Sequence, residues 1–431
     1  MMSEDEVRIS GTQRRALIAG TIAFFGGFAA VALFNITAKT FSEMLNLSLL
    51  QVGWLVAIPT LTGSLMRIPF GAMVDRYGGR RVILSQLLLA LIGMIGLLLS
   101  IEAIMNRSIT SSILGYALLM FFGAVAGIGI SVFSSGIAYV SYWFPQRKQG
   151  YALGFYAGVG NTAPGIFTGI LPYAIASLGL LGSYVAWMLI LIVVILIFFF
   201  IGKDPYYFQL LKKYNRERAL EEARKLGQEL FPTGSARESL VKASKLVRTW
   251  IFVILYFTSF GGFLALTSWL PTYWEKLFSL SSIQAGLISG ILFSLLASLI
   301  RVAGGWISDK IGGERVAILS FTIILLGSTI MTLSTSFPIS LVGILVIAFG
   351  MGFANASVFK MVPKYVPEAV GGATGLVGGL GALGGLLLPP SMAWFAQEFG
   401  TRGYSLGFST FVILSVISLI LSFMVLKHAR K

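Results

Sequence analysis

Residues 67–84 read RIPFGAMVDRYGGRRVIL, and residues 301–319 repeat the pattern as RVAGGWISDKIGGERVAIL. The two copies align without a gap. Each has an Arg at its start, a G-x-x-x-D-[RK]-x-G-G motif in its middle and an Arg just after the motif. An internal repeat of this kind indicates a chain built from two related halves. The matched residues are Arg67 with Arg301, Gly71 with Gly305, Asp75 with Asp309, Arg76 with Lys310, and Arg81 with Arg315.

A second, looser repeat consists of glycines. Glycine at every third or fourth position lets helix backbones approach closely. The pattern therefore predicts one close helix contact in each half of the chain. The matched positions are Gly150, Gly154, Gly158 and Gly160 in the first half and Gly371, Gly375, Gly379 and Gly381 in the second.

The composition excludes a soluble domain. Of the 431 residues, 56% are hydrophobic and only 11% are charged, whereas soluble domains carry roughly 25% charged residues. Cysteine is absent and the one histidine is His428, which excludes a disulfide framework, a Cys- or His-ligated metal site and a Ser-His-Asp triad. We therefore expect a membrane protein without metal, cofactor or enzymatic activity.

Twelve stretches are long and apolar enough to cross a bilayer, which takes about 20 residues. They form two groups of six, a layout typical of parallel-repeat transporters. We predict an N-terminal six-helix bundle over 1–202, a cytoplasmic linker over 203–248 and a C-terminal six-helix bundle over 249–431. The predicted spans are 16–40, 48–70, 82–104, 111–138, 150–173, 180–202, 249–272, 283–306, 316–336, 338–362, 370–396 and 404–427.

The basic residues predict the orientation. Most of the 32 Lys and Arg residues fall on the side of the N-terminus, and the other side holds Lys39, Arg107, Lys276 and Arg402. Positive charge accumulates on the cytoplasmic side, so we predict a multi-pass protein of the cell membrane with both termini in the cytoplasm. The net charge of +15 then indicates contact with anionic lipid headgroups rather than with nucleic acid. We expect the chain to work as a monomer.

The polar segment between the two groups of spans contains one clear helical pattern. Residues 214–230 read YNRERALEEARKLGQEL, with Glu221 and Lys225 at helical i,i+4 spacing. We interpret the segment as a linker that lies across the cytoplasmic face of the membrane. The alternative is a docking site for a regulator.

The two repeated arginines are the sharpest functional signal. Arg67 and Arg301 each precede the motif Asp by eight residues, about 12 Å of helix. Each guanidinium is thus predicted inside the bilayer, where an Arg costs about 2.5–3.5 kcal/mol on insertion scales. None of the 17 acidic residues falls in the middle of a predicted span, so two buried cations without a counter-ion predict an anionic substrate. The alternative is that these side chains extend to the membrane interface.

The motif loops resemble the signature loop of the major facilitator superfamily, and they occur in both halves. We expect them to latch helices at the cytoplasmic face by charge pairing, in a conformational rather than a substrate-binding role. The residues concerned are Gly71, Asp75, Arg76 and Arg81 in the first loop and Asp309, Lys310 and Arg315 in the second.

Residues 141–161, SYWFPQRKQGYALGFYAGVGN, resemble the nitrate signature of the nitrate/nitrite porter family. The run GLVGGLGALGG at 375–385 and the two arginines match that family as well. The resemblance implies the major facilitator fold, an all-α membrane protein with twelve transmembrane helices in two pseudo-symmetric six-helix bundles. It also implies secondary active transport of nitrate and nitrite by alternating access.

The resemblance further implies a binding site. Arg67 and Arg301 would grip the anion, whose planar shape matches the fork of donors on a guanidinium. Taken from the residues alone, the Asn of the signature could equally bridge two helices, and the phenylalanines could be core packing. The remaining residues assigned to the substrate are Asn161, Tyr256, Phe133, Phe260, Gly158, Gly160, Gly379 and Gly381.

Three positions depart from the family pattern. Ala163 and Pro164 follow the signature Asn, where the family often has Gly two residues after it, so the packing of the fifth span stays open. Ala382 stands where a second Asn would complete the repeat. We therefore expect an asymmetric site.

The transport mechanism is predicted from what the spans lack. They contain no central carboxylate or histidine, the groups that usually carry protons. An empty carrier would hold two unpaired cations and resist switching, which favours exchange over proton symport. Lys360 could titrate, or its side chain could extend to the interface. Two rivals remain, an exchanger of small carboxylates such as oxalate and formate, and a membrane anion sensor that does not transport.

Overall fold

The computed structural model describes residues 9–429, which fold into helices joined by short turns. The α-helices are α1 (Gln13–Leu45), α2 (Leu49–Tyr77), α3 (Gly79–Met105), α4 (Ser112–Gly127), α5 (Val132–Trp143), α6 (Gln146–Gly160), α7 (Ala163–Ile201), α8 (Tyr206–Leu210), α9 (Arg216–Lys225), α10 (Ala236–Lys245), α11 (Val247–Tyr256), α12 (Gly262–Phe278), α13 (Ser282–Leu287), α14 (Leu296–Ile311), α15 (Gly313–Leu333), α16 (Phe337–Tyr365), α17 (Val370–Ala382), α18 (Gly384–Leu406) and α19 (Ser409–Ala429).

Two π-helical segments interrupt the crossings of the second half. Phe257–Gly261 joins α11 to α12, and Ile288–Leu295 joins α13 to α14. A π-bulge widens one helical turn and is frequent at functional sites. One bulge contains Phe260, and the other ends six residues before Arg301.

Eleven helical stretches of the described chain are long and apolar enough to cross a membrane. The longest helix, α7, has 39 residues and would measure about 58 Å, twice the roughly 30 Å of hydrocarbon. At Gly179 its backbone leaves the helical region, with φ 71° and ψ 179°. The part after Gly179 is therefore a crossing of its own, and the part before it continues α6. The predicted all-α fold with twelve transmembrane helices is confirmed.

The fifth crossing is not the single helix that we predict over 150–173. Helix α6 ends at Gly160, Asn161 and Thr162 form a turn, and α7 begins at Ala163. Pro164 lies in the first turn of α7, where a missing N–H costs nothing because the first N–H groups of a helix have no partner within it. The departure from the family pattern thus coincides with a break in the helix.

The two halves meet along two helix pairs, α6 with α14 and α2 with α17. A Cβ on Gly154 would lie 2.8 Å from the carbonyl oxygen of Arg301, and a Cβ on Gly375 would lie 2.8 Å from that of Arg67. Only glycine tolerates a backbone this close. The glycine repeat and the arginine repeat therefore pack against each other, and both arginines lie where the halves meet.

The segment between the bundles carries α8, α9 and α10, and we call the end of the molecule on which it lies the linker face. The helix predicted in 214–230 is confirmed as α9. Helix α10 packs between α2 and α17 at this face, with Ser239 and Ala243 buried. The division into 1–202, 203–248 and 249–431 stays a prediction.

Candidate anion site between the halves

Arg67 and Arg301 are buried in the middle of the molecule. Each side chain is 1% exposed, and each stands eight residues, about 12 Å of helix, before the Asp near the end of its helix. The alternative in which these side chains extend to the interface does not apply in this conformation. Holding two guanidinium groups this deep requires compensating contacts.

The ring of Phe133 lies against both guanidinium groups. The Cζ atom of Arg67 is 4.7 Å from the ring centroid, and that of Arg301 is 5.4 Å from it. Arg67 is also 5.3 Å from the ring of Phe260, and Arg301 is 5.9 Å from that of Tyr256. Cation–π attraction of this kind contributes about 0.5–2 kcal/mol per contact in desolvated surroundings. The structure thus brings together five of the side chains that the resemblance assigns to the substrate, namely those of Arg67, Arg301, Phe133, Tyr256 and Phe260.

Three of these rings are nearly parallel. The planes of Phe133 and Phe260 differ by 9° with centroids 5.8 Å apart, and those of Phe133 and Tyr256 differ by 15° at 6.0 Å. Tyr256 and Phe260 stack at 4.9 Å and 8°, which their spacing of four residues on one helical face explains. Parallel aromatic faces beside two planar guanidinium groups favour a flat ligand.

The hydrogen bonds of the two arginines are incomplete. Arg67 donates through Nη1 to the carbonyl oxygen of Gly378 at 2.9 Å. The Nε atom of Arg67 and all three guanidinium nitrogens of Arg301 are buried without a hydrogen-bond partner in residues 9–429, as is the Tyr256 hydroxyl. Buried donors of this kind are rare. Arg67 and Arg301 also form no ion pair within the described chain, so their remaining donors are free to bind an anion.

The predicted site glycines shape the walls of the site through packing. Gly158 lies against the carbonyl oxygen of Ser298, where a Cβ would be 2.7 Å away, and Gly379 lies against that of Ser64 at 2.8 Å. Gly160 leaves space for the ring of Phe24, and Gly381 leaves space for Tyr256. Their expected role toward a substrate stays a prediction beside this packing role.

Asn161 ends α6 rather than occupying the middle of a continuous helix. It is the C-cap residue of α6, is 6% exposed and follows Gly158 by three residues. Its backbone N–H donates to the carbonyl oxygen of Ala157. The structure therefore places Asn161 near the α6–α14 contact and leaves its role toward a substrate as a prediction.

Three aromatic residues of the site have no counterpart in the sequence prediction. The ring of Phe359 lies 5.8 Å from Arg301 Cζ and 5.1 Å from the centroid of Phe133. Phe24 lies 5.3 Å from Phe133, and Tyr156 donates its hydroxyl to the carbonyl oxygen of Val132 at 2.7 Å. Tyr156 belongs to the quoted signature, but no local signal distinguishes Phe24 and Phe359 from other apolar residues.

A cavity of about 280 Å³ leads away from the site. It reaches from Arg67 along α2 to Gly53, near the end of α2 that is remote from the linker face. Ser64 of the first half and Thr267 of the second also line it. The interior is therefore hollow on the side opposite the linker face.

Asp75 closes the linker face on the α2–α17 pair. Its buried carboxylate accepts hydrogen bonds from the Tyr142 hydroxyl at 2.5 Å, from the Gly371 backbone N–H at 3.1 Å and from the Ser239 hydroxyl. Gly371 lies in the first turn of α17, where unpaired N–H groups and the helix dipole stabilise an anion. We call this arrangement the Asp75 cap.

Asp309 forms the matching contact on the α14–α6 pair. Its carboxylate accepts the backbone N–H of Gly150 at 2.8 Å and of Tyr151 at 2.7 Å, and it pairs with Lys360 Nζ at 2.6 Å. Lys360 also donates to the carbonyl oxygen of Gln146. We call this arrangement the Asp309 cap. Lys360 is thus an ion-pair partner at the linker face in this conformation.

The expected conformational role of the motif loops stays a prediction. Asp75 is fully buried in the last turns of α2. Backbone N–H groups of the facing helix bind both Asp75 and Asp309, and the charge pair at this face joins Asp309 to Lys360, which lies outside the motifs. The basic residues of the motifs are exposed instead, as for Arg76, Arg81, Lys310 and Arg315.

Arg80, between these motif residues, ties α3 to the start of the linker segment. Its backbone N–H donates to Asp204 Oδ1 at 2.8 Å, and its Nε donates to the carbonyl oxygen of Gly202 at 2.8 Å. Burial raises the pKa of the Asp204 carboxyl above its ordinary value, although the bond from Arg80 opposes the shift. The linker segment is therefore fixed to the first bundle at its beginning.

Comparison with known proteins places this geometry in a family. The model of the Major Facilitator Superfamily matches residues 17–301 and 278–431. The probable nitrate/nitrite antiporter NarK1 of Thermus thermophilus is 32% identical over 96% of this chain and 92% of its own length. The chain belongs to the nitrate/nitrite porter family of the major facilitator superfamily.

Other relatives of the porter carry similar names. The nitrite extrusion protein of Bacillus subtilis is 27% identical over 93% of this chain and 91% of its own length. The probable nitrate transporter NarT of Staphylococcus epidermidis is 28% identical over 93% of each chain. The similarity therefore extends over nearly the whole porter, both arginine helices included.

Solved structures support the fold alone. The proton:xylose symporter XylE matches with a TM-score of 0.71 and 13% identity, over 96% of this chain and 95% of that one. The transporter FucP, solved in the outward conformation, matches with a TM-score of 0.71 and 14% identity, over 95% of this chain and 98% of that one. Sugar and anion carriers thus share this helix arrangement while their sites differ.

Proposed function

We propose that the porter exchanges nitrate for nitrite across the cell membrane by alternating access. One observation carries the proposal: two buried guanidinium groups from repeat-related positions face the same aromatic ring, and Arg301 has no hydrogen-bond partner in the described chain. A planar oxyanion would accept from both forks and lie flat against the rings. The names of the relatives, which refer to nitrate and nitrite, support the same substrate.

Alternating access is supported by the contrast between the two ends of the molecule. The Asp75 cap and the Asp309 cap hold the halves together at the linker face, whereas the cavity from Arg67 extends toward the opposite face. A single site with one closed and one hollow side matches one state of a carrier whose halves rock around a fixed site. The second state would need both caps to open.

Exchange is supported by the charge of the site. Without an anion, two cations buried in the middle of the molecule would have to remain without a partner while the halves switch, at a high cost in a low-dielectric interior. The nearest buried carboxylate that we describe on α2, Asp75, stands about 12 Å along the helix from Arg67. It cannot neutralise the guanidinium directly.

Counterflow in proteoliposomes tests the function. Vesicles loaded with unlabelled nitrite should take up labelled nitrate, while empty vesicles should not. Excess external nitrite should compete for uptake, and oxalate or formate should not. Uptake into empty vesicles driven by a pH gradient would overturn exchange in favour of proton symport, and competition by oxalate would favour the carboxylate exchanger.

The placement in the cell is part of the same proposal. The linker face would lie in the cytoplasm with both termini, since the basic residues of the motif loops and of the linker segment are concentrated there. The porter would work as a monomer. Thiol labelling of single cysteines in cells tests the orientation, because the chain has no cysteine of its own.

A further inference from the structure

A second cavity lies on the linker face, apart from the anion site. Its volume is about 740 Å³, and it lies between the beginning of α1, the turn from α5 to α6 and the end of α14. The cavity therefore spans the junction of the two halves beside the Asp309 cap. The basic side chains that line it are Arg14, Arg147, Lys148 and Lys310.

Within residues 9–429, no side chain neutralises the positive charge of this cavity. Among the described residues that line it, Asp309 is the one acidic residue, and its carboxylate is already bound by Lys360 and by two backbone N–H groups. None of the four lining cations forms an ion pair within residues 9–429. Four converging cations in one concave site favour a ligand with a concentrated negative charge.

The same cavity has an apolar wall. Trp306 is 51% exposed and Tyr151 is 42% exposed, and both line the cavity together with Leu17 and Phe144. Lys310 Nζ lies 3.4 Å from the ring centroid of Trp306, so charge and apolar surface adjoin directly. Trp and Tyr are the residues that occupy the headgroup level of a bilayer. The ligand should therefore be amphiphilic.

We propose that this cavity binds the headgroup of an anionic phospholipid from the leaflet at the linker face. Basic pockets between transmembrane helices are suited to phosphate headgroups. The phosphate would lie among the four cations, and the acyl chains would pass along Trp306 into the membrane. A free phosphate ion would satisfy the cations but leave the aromatic wall unused.

The position of the cavity gives the lipid a consequence for transport. Arg147 and Lys148 belong to the first half, whereas Lys310 belongs to the second. One bound headgroup therefore contacts both halves only while α6 and α14 are together. The lipid stabilises the conformation that is closed at the linker face.

Native mass spectrometry of the full chain tests the site. We compare the triple variant R14Q/R147Q/K148Q with the matched variant K212Q/K213Q/R237Q, which removes the same charge from exposed positions outside the cavity. Each removed cation should weaken binding of dioctanoyl-phosphatidylglycerol about fivefold. We expect a loss well above tenfold in the first variant and little change in the second. Equal loss in both would show a nonspecific surface effect and overturn the site.

Two further probes separate the lipid from simpler ligands. Glycerol 3-phosphate carries the charge without acyl chains, and dioctanoyl-phosphatidylcholine carries the chains without net charge. We expect both to bind the wild-type chain at least tenfold more weakly than dioctanoyl-phosphatidylglycerol, since each uses one wall of the cavity. Equal binding of glycerol 3-phosphate would make the cavity a free-phosphate site, and equal binding of phosphatidylcholine would remove the role of the cations.

Discussion

At the scale of single residues, the two arginines are repeat-related but not equivalent. Arg67 uses one donor on the carbonyl oxygen of Gly378, whereas Arg301 has its three guanidinium nitrogens free of partners in the described chain. The same residue type in the same repeat position thus meets two different surroundings. Arg301 should supply the larger share of the anion's hydrogen bonds.

Replacing either arginine by lysine tests this difference. Lysine keeps the charge but loses the planar fork, so we expect nitrate affinity to fall about 10- to 100-fold, the equivalent of one charged hydrogen bond. The fall should be larger for Arg301→Lys than for Arg67→Lys. Competition counterflow measures both, and Arg402→Lys is the control because Arg402 bonds to Ser334 and Leu333 away from the site. Unchanged affinity in both variants would remove the arginines from the site.

Phe133 should set the shape of the accepted anion. It touches both guanidinium groups and lies parallel to Phe260. We expect the wild-type porter to prefer planar nitrate over tetrahedral perchlorate, and Phe133→Leu to reduce this preference about tenfold, a typical value for pocket shape. Inhibition of nitrate counterflow by perchlorate measures the preference. The control is Phe321→Leu, which changes a buried ring on α15 and should leave the preference for nitrate over perchlorate unchanged. An unchanged preference in the Phe133→Leu variant would contradict a role of Phe133 in selecting a planar anion.

The sequence predicts the chemistry of the site better than its walls. The two arginines stand out because a cation in an apolar span is costly, and the family resemblance supplies Phe133, Tyr256 and Phe260. Phe24 and Phe359 are ordinary aromatic residues of apolar spans until the helices are packed. The carbonyl oxygen of Gly378 belongs to the main chain, so its role as a hydrogen-bond acceptor cannot be predicted from the residue type.

At the scale of elements, α10 joins the linker segment to the transport machinery. The Ser239 hydroxyl donates to Asp75 of α2, and its oxygen accepts the backbone N–H of Gly372 of α17 at 2.8 Å. One side chain of the linker segment therefore connects both halves. The sequence ARESLVKASK has charges and no long apolar stripe, which is why α10 cannot be assigned to a buried seam before the tertiary contacts are known.

Ser239→Ala should favour opening at the linker face. The variant leaves Gly372 without its acceptor and Asp75 with one donor fewer, and an unsatisfied buried group costs about 1–3 kcal/mol. We expect about a tenfold increase in the labelling rate of a cysteine placed at Ser134, whose hydroxyl bonds to Thr374 between the site and the Asp75 cap. Ser244→Ala on the exposed side of α10 is the matched control. Equal labelling in all three proteins would exclude Ser239 from closure.

At the scale of the whole molecule, pseudo-symmetry fixes the positions of the caps but not their chemistry. Asp75 is held by neutral donors, whereas Asp309 also binds the cation of Lys360. The repeat alone predicts two related acidic contacts. It cannot predict which of them recruits a cation, because Lys360 comes from α16, outside both repeated motifs.

The two caps should respond differently to loss of charge. Asp309→Asn leaves the largely buried Lys360 without its partner, and an uncompensated buried charge is strongly destabilising. Asp75→Asn keeps neutral partners. We expect linker-face labelling to rise more for Asp309→Asn, and the added change Lys360→Met to reverse that rise. If Lys360→Met does not change the labelling rate in the Asp309→Asn background, the Asp309–Lys360 ion pair does not keep the linker face closed.

The overall architecture can be predicted largely from the sequence, but the breaks within individual helices cannot. Twelve crossings and two halves are evident from hydropathy and from the repeat. The break at Asn161 and the turn inside α7 at Gly179 depend on backbone conformations, which an uninterrupted apolar pattern conceals. Comparing the length of a helix with the thickness of the bilayer reveals these breaks only once the helix ends are known from the structure.

The glycine contacts of α6 with α14 and of α2 with α17 also determine how strongly the closed faces adhere. Backbone lying on backbone buries few methyl or methylene groups, and apolar burial contributes only about 25 cal/mol per Å². Separating these helix surfaces therefore exposes little apolar area to water. The newly exposed surfaces carry backbone carbonyl groups, which water solvates well. The two halves of the porter therefore attract each other weakly along the glycine contacts and are held together mainly at Asp75 and Asp309. A weak contact of this kind is compatible with fast opening, while the two carboxylates define the closed arrangement.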